Sequence, residues 1–293
     1  MSFDYFRNTT KDQLMTIPLP ASTGSEDIVV NFGENQNVGY DFSVAGQVIR
    51  NKNWAWTSVI NGSHVKDRIK QISDKLKNTA YQLEEDNPLK LRFREGGSQY
   101  DIYAVRSAGI DPATGQEIFI NKNGEYTFKY DAEDEVVVGN TQPKLQGTWL
   151  NTLRYKGWSL NFVFSYTFGG DTYNKTLWEK VEDIDPRYNV DERAFTDRWK
   201  NPGDLSRYLA IKERRSTTPH NSERFVERLN ELWLSSATLT YEFQPKFLKR
   251  LGFKRLAVGV GVSDIVRFST VKYERGTSYP YCRTINLTFR PTF

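Results

Sequence analysis

The chain has 293 residues, 14% aromatic residues and a net charge of +4 at pH 7. Its basic residues are spread along the chain, so the charge does not favour a nucleic-acid partner. A single cysteine, Cys282, excludes an internal disulfide and a cysteine-based zinc cluster. No apolar run reaches the roughly 18–20 residues of a membrane-spanning helix, but barrel strands, which show only half of their residues to lipid, are compatible with this composition.

Three segments near the start of the chain predict strands. The opening SFDYF is the weakest, whereas GYDFSVAGQVI and NWAWTSVIN alternate apolar and polar residues clearly. The connection RNKN at 50–53 predicts a tight turn between the last two. Their apolar faces carry Tyr40, Phe42, Val44, Trp54 and Trp56.

The region that follows, 63–146, combines two different patterns. In SHVKDRIKQISDKLKNTAYQLEE, helical spacing of Val65, Ile69, Ile72 and Leu76 predicts a short amphipathic helix. In AGIDPATGQEIFINKNGEY, the DPATG and NKNG turns predict a small hairpin. Neither pattern resembles a catalytic motif.

The second half of the chain predicts five more strands. TWLNTLRY is followed after Lys156 and Gly157 by WSLNFVFSYTF, which reaches the roughly 9–11 residues that a tilted strand needs to cross a bilayer. ATLTYEF, LAVGVGVSDIV and the final TINLTFRPTF alternate in the same way. On the face opposite the apolar residues, these strands carry mostly Ser, Thr, Asn and Gly.

About eight strands result, and their connections alternate between short and long. The short ones lie at 50–53, 156–157 and 244–254; the long ones lie at about 11–37, 63–146, 169–231 and 267–280. Outer-membrane barrels have short turns on the periplasmic side and long loops outside. The sequence therefore predicts an all-β fold: an antiparallel up-and-down segment of a transmembrane β-barrel with long extracellular loops.

Few residues are candidates for chemistry. His64 and His220 are predicted in different loops without metal-ligand spacing, and no nucleotide-binding or nucleophile motif is present, so no enzyme and no cofactor is predicted. Acidic residues of VEDIDPRYNVDER could bind calcium, although a solvated acidic loop is the favoured interpretation. Five loop aromatics could contact a substrate or a lid, with packing of the loop against itself as the favoured alternative: Tyr173, Trp178, Tyr188, Trp199 and Tyr208.

The chain resembles SusC/RagA-type TonB-dependent outer-membrane transporters along nearly its whole length. The resemblance is carried by FDYFRNTTKDQLMTIPLPASTG, NVGYDFSV, YAVRSAGIDPATGQEIF, FSYTFGGDTYN, RWKNPGD, ELWLSSATLTYEFQPKFLKRLGFKRLAVGV and TINLTFRPTF. It implies a barrel of about 22 strands around a plug, import of glycan oligosaccharides or peptides, a SusD-like surface lipoprotein as a lid, and energy from TonB. Residues 1–293 would be the C-terminal portion, without the signal peptide, TonB box and plug.

Under this resemblance the apolar faces meet outer-membrane lipid. The terminal Phe293 then resembles the signal that the barrel assembly machinery reads. The predicted lipid-facing residues are Leu160, Phe162, Phe164, Val258, Val260, Leu287 and Phe289.

The alternative is a secreted or surface all-β carbohydrate-binding protein, with its apolar faces buried between two stacked sheets. In such a sandwich the polar faces meet water and are usually rich in Lys, Glu and Asp. In this sequence the polar faces of the strands carry mostly Ser, Thr, Asn and Gly, which favours the barrel.

Overall fold

A computed structural model describes residues 1–18, 27–73, 93–184, 187, 190–211, 221–244, 252–272 and 283–293. Its main feature is one eight-stranded sheet in the order β1-β2-β3-β8-β9-β10-β11-β12. Every neighbouring pair is antiparallel. The strands are β1 Ser2–Pro18, β2 Asp27–Arg50, β3 Trp54–Ile72, β8 Leu145–Tyr155, β9 Trp158–Tyr173, β10 Val226–Glu242, β11 Arg255–Ser269 and β12 Ile285–Thr292.

The predicted antiparallel meander is confirmed, with one insertion. Between β3 and β8 the chain forms a second sheet in the order β6-β5-β4-β7. The first sheet is not closed, since β1 and β12 form its two edges. The strands of the second sheet are β4 Asp101–Ile110, β5 Glu117–Ile120, β6 Tyr126–Thr127 and β7 Glu135–Asn140.

Several strands are longer than the alternation predicts. β1 continues to Pro18 and β2 begins at Asp27, so much of the loop predicted at about 11–37 is paired sheet. The same holds for β9, which runs to Tyr173, and β10, which begins at Val226. In the ENQN stretch at 34–37 both faces are polar, so alternation gives no signal, although the backbone still forms ladder pairs.

The helix predicted from Val65, Ile69, Ile72 and Leu76 is wrong over its first part, because 64–72 belong to β3. A spacing of four residues is also an even spacing, so Val65 and Ile69 share one face of a strand. A register shift between β2 and β3 then accommodates Ile72. Leu76 lies outside the described residues.

His64 is likewise a strand residue and not the loop residue predicted. Its Nδ1 lies 2.6 Å from the carbonyl oxygen of Lys144. The ring therefore links β3 to the start of β8. His220 lies outside the described residues.

The connections place the remaining structure at one end of the main sheet. The tight turns after β2 and β8 mark the short-connection end. The other end carries the second sheet and the described residues 174–184, 187, 190–211 and 221–225; together these are here called the insert. The hairpin predicted around DPATG and NKNG is confirmed as β4, β5 and β6. No helix in the described ranges is long and apolar enough to cross a membrane.

Two small cores stabilise the long-connection end. The first packs Val30 and Phe32 of β2 against β3 and Phe93, with Phe32 and Phe93 edge to face at 4.8 Å. The second lies inside the insert, between short helical turns at Lys175–Leu177, Trp178–Glu182 and Arg193–Thr196. Its members are Leu177, Val181, Ile184, Ala194, Tyr208 and Phe225.

Candidate functional site: a two-faced sheet and its insert

Strand register places most of the large apolar residues of the eight strands on one face of the main sheet, here called the apolar face. Leu160 lies opposite Leu153 of β8 and Leu239 of β10. Leu239 lies opposite Val260, which in turn lies opposite Leu287. Directly opposed residues share a face, so the pattern that the sequence shows strand by strand is continuous across the sheet. All seven residues predicted to face lipid lie on it.

The apolar face is uncovered at its edges and self-packed at its centre. Leu287 is 82% exposed, and Phe268 and Phe289 are 61% and 63% exposed. Nearer the centre Phe164 stacks on Trp149 at 5.5 Å. The four-stranded sheet lies at the long-connection end, where β7 contacts β9. Within the described part of the chain, no second sheet covers the apolar face. This arrangement contradicts the sandwich alternative.

Aromatic rings mark both ends of the apolar face. At the short-connection end Trp54 lies 4.3 Å from Tyr155. At the other end Tyr166 stacks on Phe168 at 5.7 Å. The ten residue steps along β9 from Trp158 to Phe168 span roughly 33 Å, or about 25 Å along the normal for a strand tilted by about 40°. That height equals the apolar band of outer-membrane barrels, which carry aromatic girdles at both boundaries.

The opposite face, here called the polar face, carries small hydroxyl and amide side chains joined by hydrogen bonds. The Ser43 hydroxyl donates to Asn61 Oδ1 at 2.7 Å, and Asn61 Nδ2 donates to Thr148 at 3.2 Å. The Thr152 hydroxyl donates to Asn161 Oδ1 at 2.8 Å. These short side chains suit the wall of a wide water-filled lumen.

The polar face also carries larger side chains: Val59, Leu150 and Val163 oppose one another there, and a charged group lies on β10 and β11. The Arg267 guanidinium lies over the Trp233 ring at 4.5 Å, and its Nη1 lies 3.5 Å from the Glu231 carboxylate. A cation over an indole ring is stabilised by the ring quadrupole. This charged aromatic group projects from β10 and β11 towards the side opposite the apolar face.

The insert is joined internally by a buried ion triad. Arg224 Nη2 lies 2.9 Å from the Glu117 carboxylate and 2.7 Å from the Glu182 carboxylate, with the three side chains 9%, 1% and 2% exposed. Burial disfavours the Arg224 charge, but the two carboxylates outweigh that effect and raise the pKa of its guanidinium. The Ser222 hydroxyl donates to Glu117. The triad thereby joins β5 to the segments on both sides of the 190–211 stretch.

Arg198, also buried, satisfies backbone carbonyls. Its Nε donates to Ala194 O at 2.9 Å, and its Nη1 and Nη2 donate to Leu209 O at 3.1 Å and Val181 O at 2.6 Å. Burial lowers its pKa from the usual value. The cation closes the ends of two short helical turns, so its role is structural.

The loop aromatics proposed as contacts are distributed between buried and partly buried positions. Tyr208 and Trp199 are 3% and 7% exposed, and Trp199 Nε1 donates to the Pro112 carbonyl at 2.9 Å. Both side chains are therefore packed inside the insert, and Trp199 packs against the 112–115 turn of the second sheet and not only against its own loop. Tyr173 and Trp178 lie at the edge of the insert core, partly buried, and Tyr188 lies outside the described residues.

The acidic cluster is dispersed among protein partners. Glu182 pairs with Arg224, and Asp191 accepts from Arg193 Nε and Nη2, both at 2.8 Å. The Arg193 side chain lowers the pKa of Asp191 to about 2. Within the described ranges no group of three acidic, histidine or cysteine residues could hold a metal ion; Asp185 lies outside them.

The ion triad could not be predicted from the sequence, because its three members are 42 to 107 positions apart. No local pattern joins Glu117 to Arg224. The closing residue Phe293 is 75% exposed, and its ring lies 5.1 Å from that of Phe253.

Comparison with known proteins points to one class. The chain is 25% identical to TonB-dependent receptor P39 of Formosa agariphila over 92% of its own length, and 26% identical to receptors P3 and P26 of that organism over 92% and 99%. It spans about a third of the length of these relatives, 30%, 28% and 32%. No family model matches the chain.

Solved structures show the same fold. A chain of the RagAB peptide transporter matches 92% of this chain with a TM-score of 0.74 and 20% identity, and the match covers 30% of that chain. The RagAB importer in its closed-closed state matches with a TM-score of 0.73. The chain is therefore a barrel segment similar to those of TonB-dependent receptors of the outer membrane, as its resemblance to the SusC/RagA type predicts.

Proposed function

We propose that the chain forms part of the barrel wall of an outer-membrane transporter that imports peptides or glycan oligosaccharides. The observation that carries this proposal is the continuous apolar face, which ends in aromatic rings on both sides and backs onto a polar face. A wall between lipid and an aqueous lumen requires these two faces. The similarity to TonB-dependent receptors supports the role in transport.

The open edges support a larger wall. Backbone groups left unpaired in lipid each cost several kcal/mol, so β1 and β12 require partners. Gly259 and Gly261 on the polar face of β11 add almost no volume, so an eight-stranded barrel would be underfilled. We infer that further strands continue from both edges and that the lumen holds a plug, with the present strands as the C-terminal portion of the wall.

The insert lies where long extracellular loops would be. It would contribute to the surface that receives a substrate and a SusD-like lipoprotein, and Tyr173 and Trp178, which are only partly buried, are contact candidates in its described part. Energy would come from TonB, through parts of the protein beyond this segment. No catalytic role is proposed for any residue.

Uptake in cells tests the function. The gene encoding the native polypeptide would be deleted and restored, and uptake of a fluorescent oligopeptide mixture compared with that of a fluorescent oligosaccharide mixture. The peptide mixture would be tested first, because the RagAB structures are of a peptide transporter. We expect the deletion to abolish uptake of one mixture and loss of TonB to have the same effect. Unchanged uptake of both mixtures in the deletion strain would contradict a role in importing either class.

A further inference from the structure

Three basic side chains replace aromatic ones where the apolar face reaches the long-connection end. On β1 this face passes from Tyr5 to Arg7, and on β3 it passes from His64 to Lys66 and Arg68. On both strands the first basic residue is the next one on the same face after the aromatic residue, two positions later in the sequence. The cations therefore lie just past the boundary of the apolar band.

Burial along β3 fixes the direction of these side chains. Asp67 and Ile69 are 3% and 0% exposed, whereas Lys66 and Arg68, which alternate with them, are exposed. Asp67 accepts the Gln99 N–H at 2.8 Å, so its side chain is directed to the 93–100 segment. Lys66 and Arg68 consequently project from the same side of the sheet as the apolar residues.

The three cations form one compact group. Arg7 and Lys66 are both partners of Val38, on opposite sides of β2, which puts their Cα atoms about 10 Å apart. Arg68 is one position further on the same face, about 7 Å along β3. Gln36 lies between Arg7 and Arg68 on this face. When its side-chain amide is oriented with the oxygen towards Arg7, that oxygen accepts hydrogen bonds from Arg7 Nε at 2.9 Å and Arg7 Nη2 at 3.2 Å.

These cations have no carboxylate partner among the described residues. The ion pairs of the described strands involve other basic residues, such as Lys11, whose Nζ lies 4.0 Å from Glu34, and Arg255, which pairs with Glu242 at 2.9 Å. Three exposed like charges grouped in this way create a positive local potential that attracts an anion. The cluster is therefore arranged for an external anion.

We propose that Arg7, Lys66 and Arg68 bind the phosphate groups of lipids in the outer leaflet. This inference rests on the proposed function, which places the long-connection end outside. Continuity with the apolar face identifies the ligand: one molecule must present hydrocarbon against Tyr40 and Tyr5 and an anion directly above them. The arginine forks suit a phosphate, and basic clusters next to a membrane-embedded surface recognise anionic headgroups.

The test compares two triple variants of the full-length native polypeptide that contains these residues. The first, Arg7→Gln, Lys66→Gln and Arg68→Gln, removes the cluster. The control, Lys122→Gln, Lys129→Gln and Lys200→Gln, removes three exposed charges from the insert. Each protein is purified from outer membranes in non-ionic detergent and titrated with monophosphorylated lipid A, with the same lipid lacking its phosphate, and with inorganic phosphate. Native mass spectrometry then counts bound lipid.

Wild type and the insert control should bind the phosphorylated lipid equally. The cluster variant should bind it about 125-fold more weakly, given about fivefold for each of the three cations. Equal binding by the cluster variant, or equal binding of the phosphate-free lipid, would overturn the proposal. So would displacement of the lipid by inorganic phosphate at equal concentration, or an acidic protein that copurifies with wild type and is lost from the cluster variant. Absence of the polypeptide from outer membranes would instead contradict the proposed function.

Discussion

The Tyr166 hydroxyl donates a 2.8 Å hydrogen bond to the backbone carbonyl of Asn61, two strands away. Its ring crosses β8 at Gly147, where a Cβ atom would lie 2.7 Å from the hydroxyl and 2.0 Å from the Asn61 carbonyl oxygen. Aromatic coverage of a glycine is a known means of fixing strand register. This contact joins β3, β8 and β9 at the boundary of the apolar face.

Replacing Gly147 by valine should lower the free energy of unfolding by about 1–3 kcal/mol, because both the ring and the carbonyl must move. The Tyr166→Phe change removes only the hydrogen bond and should lower it by about 1 kcal/mol. The measurement is the denaturant midpoint of the detergent-solubilised protein. Gly46→Val is the matched control, since nothing lies within 4 Å of its Cβ position; equal losses at both glycines would refute the close-approach argument.

An introduced arginine should have opposite effects on membrane assembly at two neighbouring positions of β9, because their side chains lie on different faces of the sheet. Phe162→Arg places a cation in lipid and should cost about 2–4 kcal/mol near the midplane. Asn161→Arg, on the polar face, should leave assembly nearly unchanged. The readout is the fraction of the native polypeptide that reaches outer membranes in folded, heat-modifiable form. Similar yields from the two variants would count against the assignment of faces.

Loss of Arg224 should loosen the insert. In Arg224→Met the carboxylates of Glu117 and Glu182 remain buried without their cation, a change that typically costs about 3–5 kcal/mol. Hydrogen exchange at 117–120 and 222–227 should accelerate. Arg207→Met, which breaks the more exposed pair with Glu227 at 2.6 Å, should have an effect below about 1 kcal/mol; comparable acceleration in both variants would argue against a structural role for the triad.

Asp191 should make the insert sensitive to strong acid. Its folded pKa, about 2, lies below the unfolded value of about 3.9. Its contribution is therefore complete above about pH 4 and is lost as the pH falls towards 2. Local opening at 190–197, followed by hydrogen exchange, should differ between wild type and Asp191→Asn at pH 5, and the difference should shrink by pH 2.5. A constant difference would contradict the assignment of this pKa.

The sequence was sufficient to predict the number, order and two-faced character of the eight strands of the main sheet, but not the four-stranded second sheet as a whole. Alternation is a local pattern, and residues such as Leu160 and Phe162 carry it because lipid or lumen acts on every second side chain. Strand lengths were underestimated because next to the apolar band both faces are polar, as at 34–37, so alternation no longer marks the strand although the ladder continues.

The insert was predicted only where turn residues determine it. Asp111, whose carboxylate accepts from the Thr114 hydroxyl at 2.6 Å, forms a local turn that its sequence indicates. The partners of Glu117 and Glu182 could not be predicted, since tertiary folding brings them together. The basic cluster was missed because a helix was predicted at Lys66 and Arg68, and a helix does not place them on one face with Arg7.

The central claim, that the apolar face meets lipid, is tested most directly by spin labels at adjacent positions of β9. In the native polypeptide, with Cys282 replaced by serine, Leu160→Cys and Ser159→Cys would be labelled in turn and their accessibility to oxygen and to a water-soluble nickel complex measured in lipid bilayers. We expect the label at 160 to be accessible to oxygen and protected from nickel, and the label at 159 to show the reverse. A label at 160 that is shielded from both reagents, or accessible to nickel, would contradict the account.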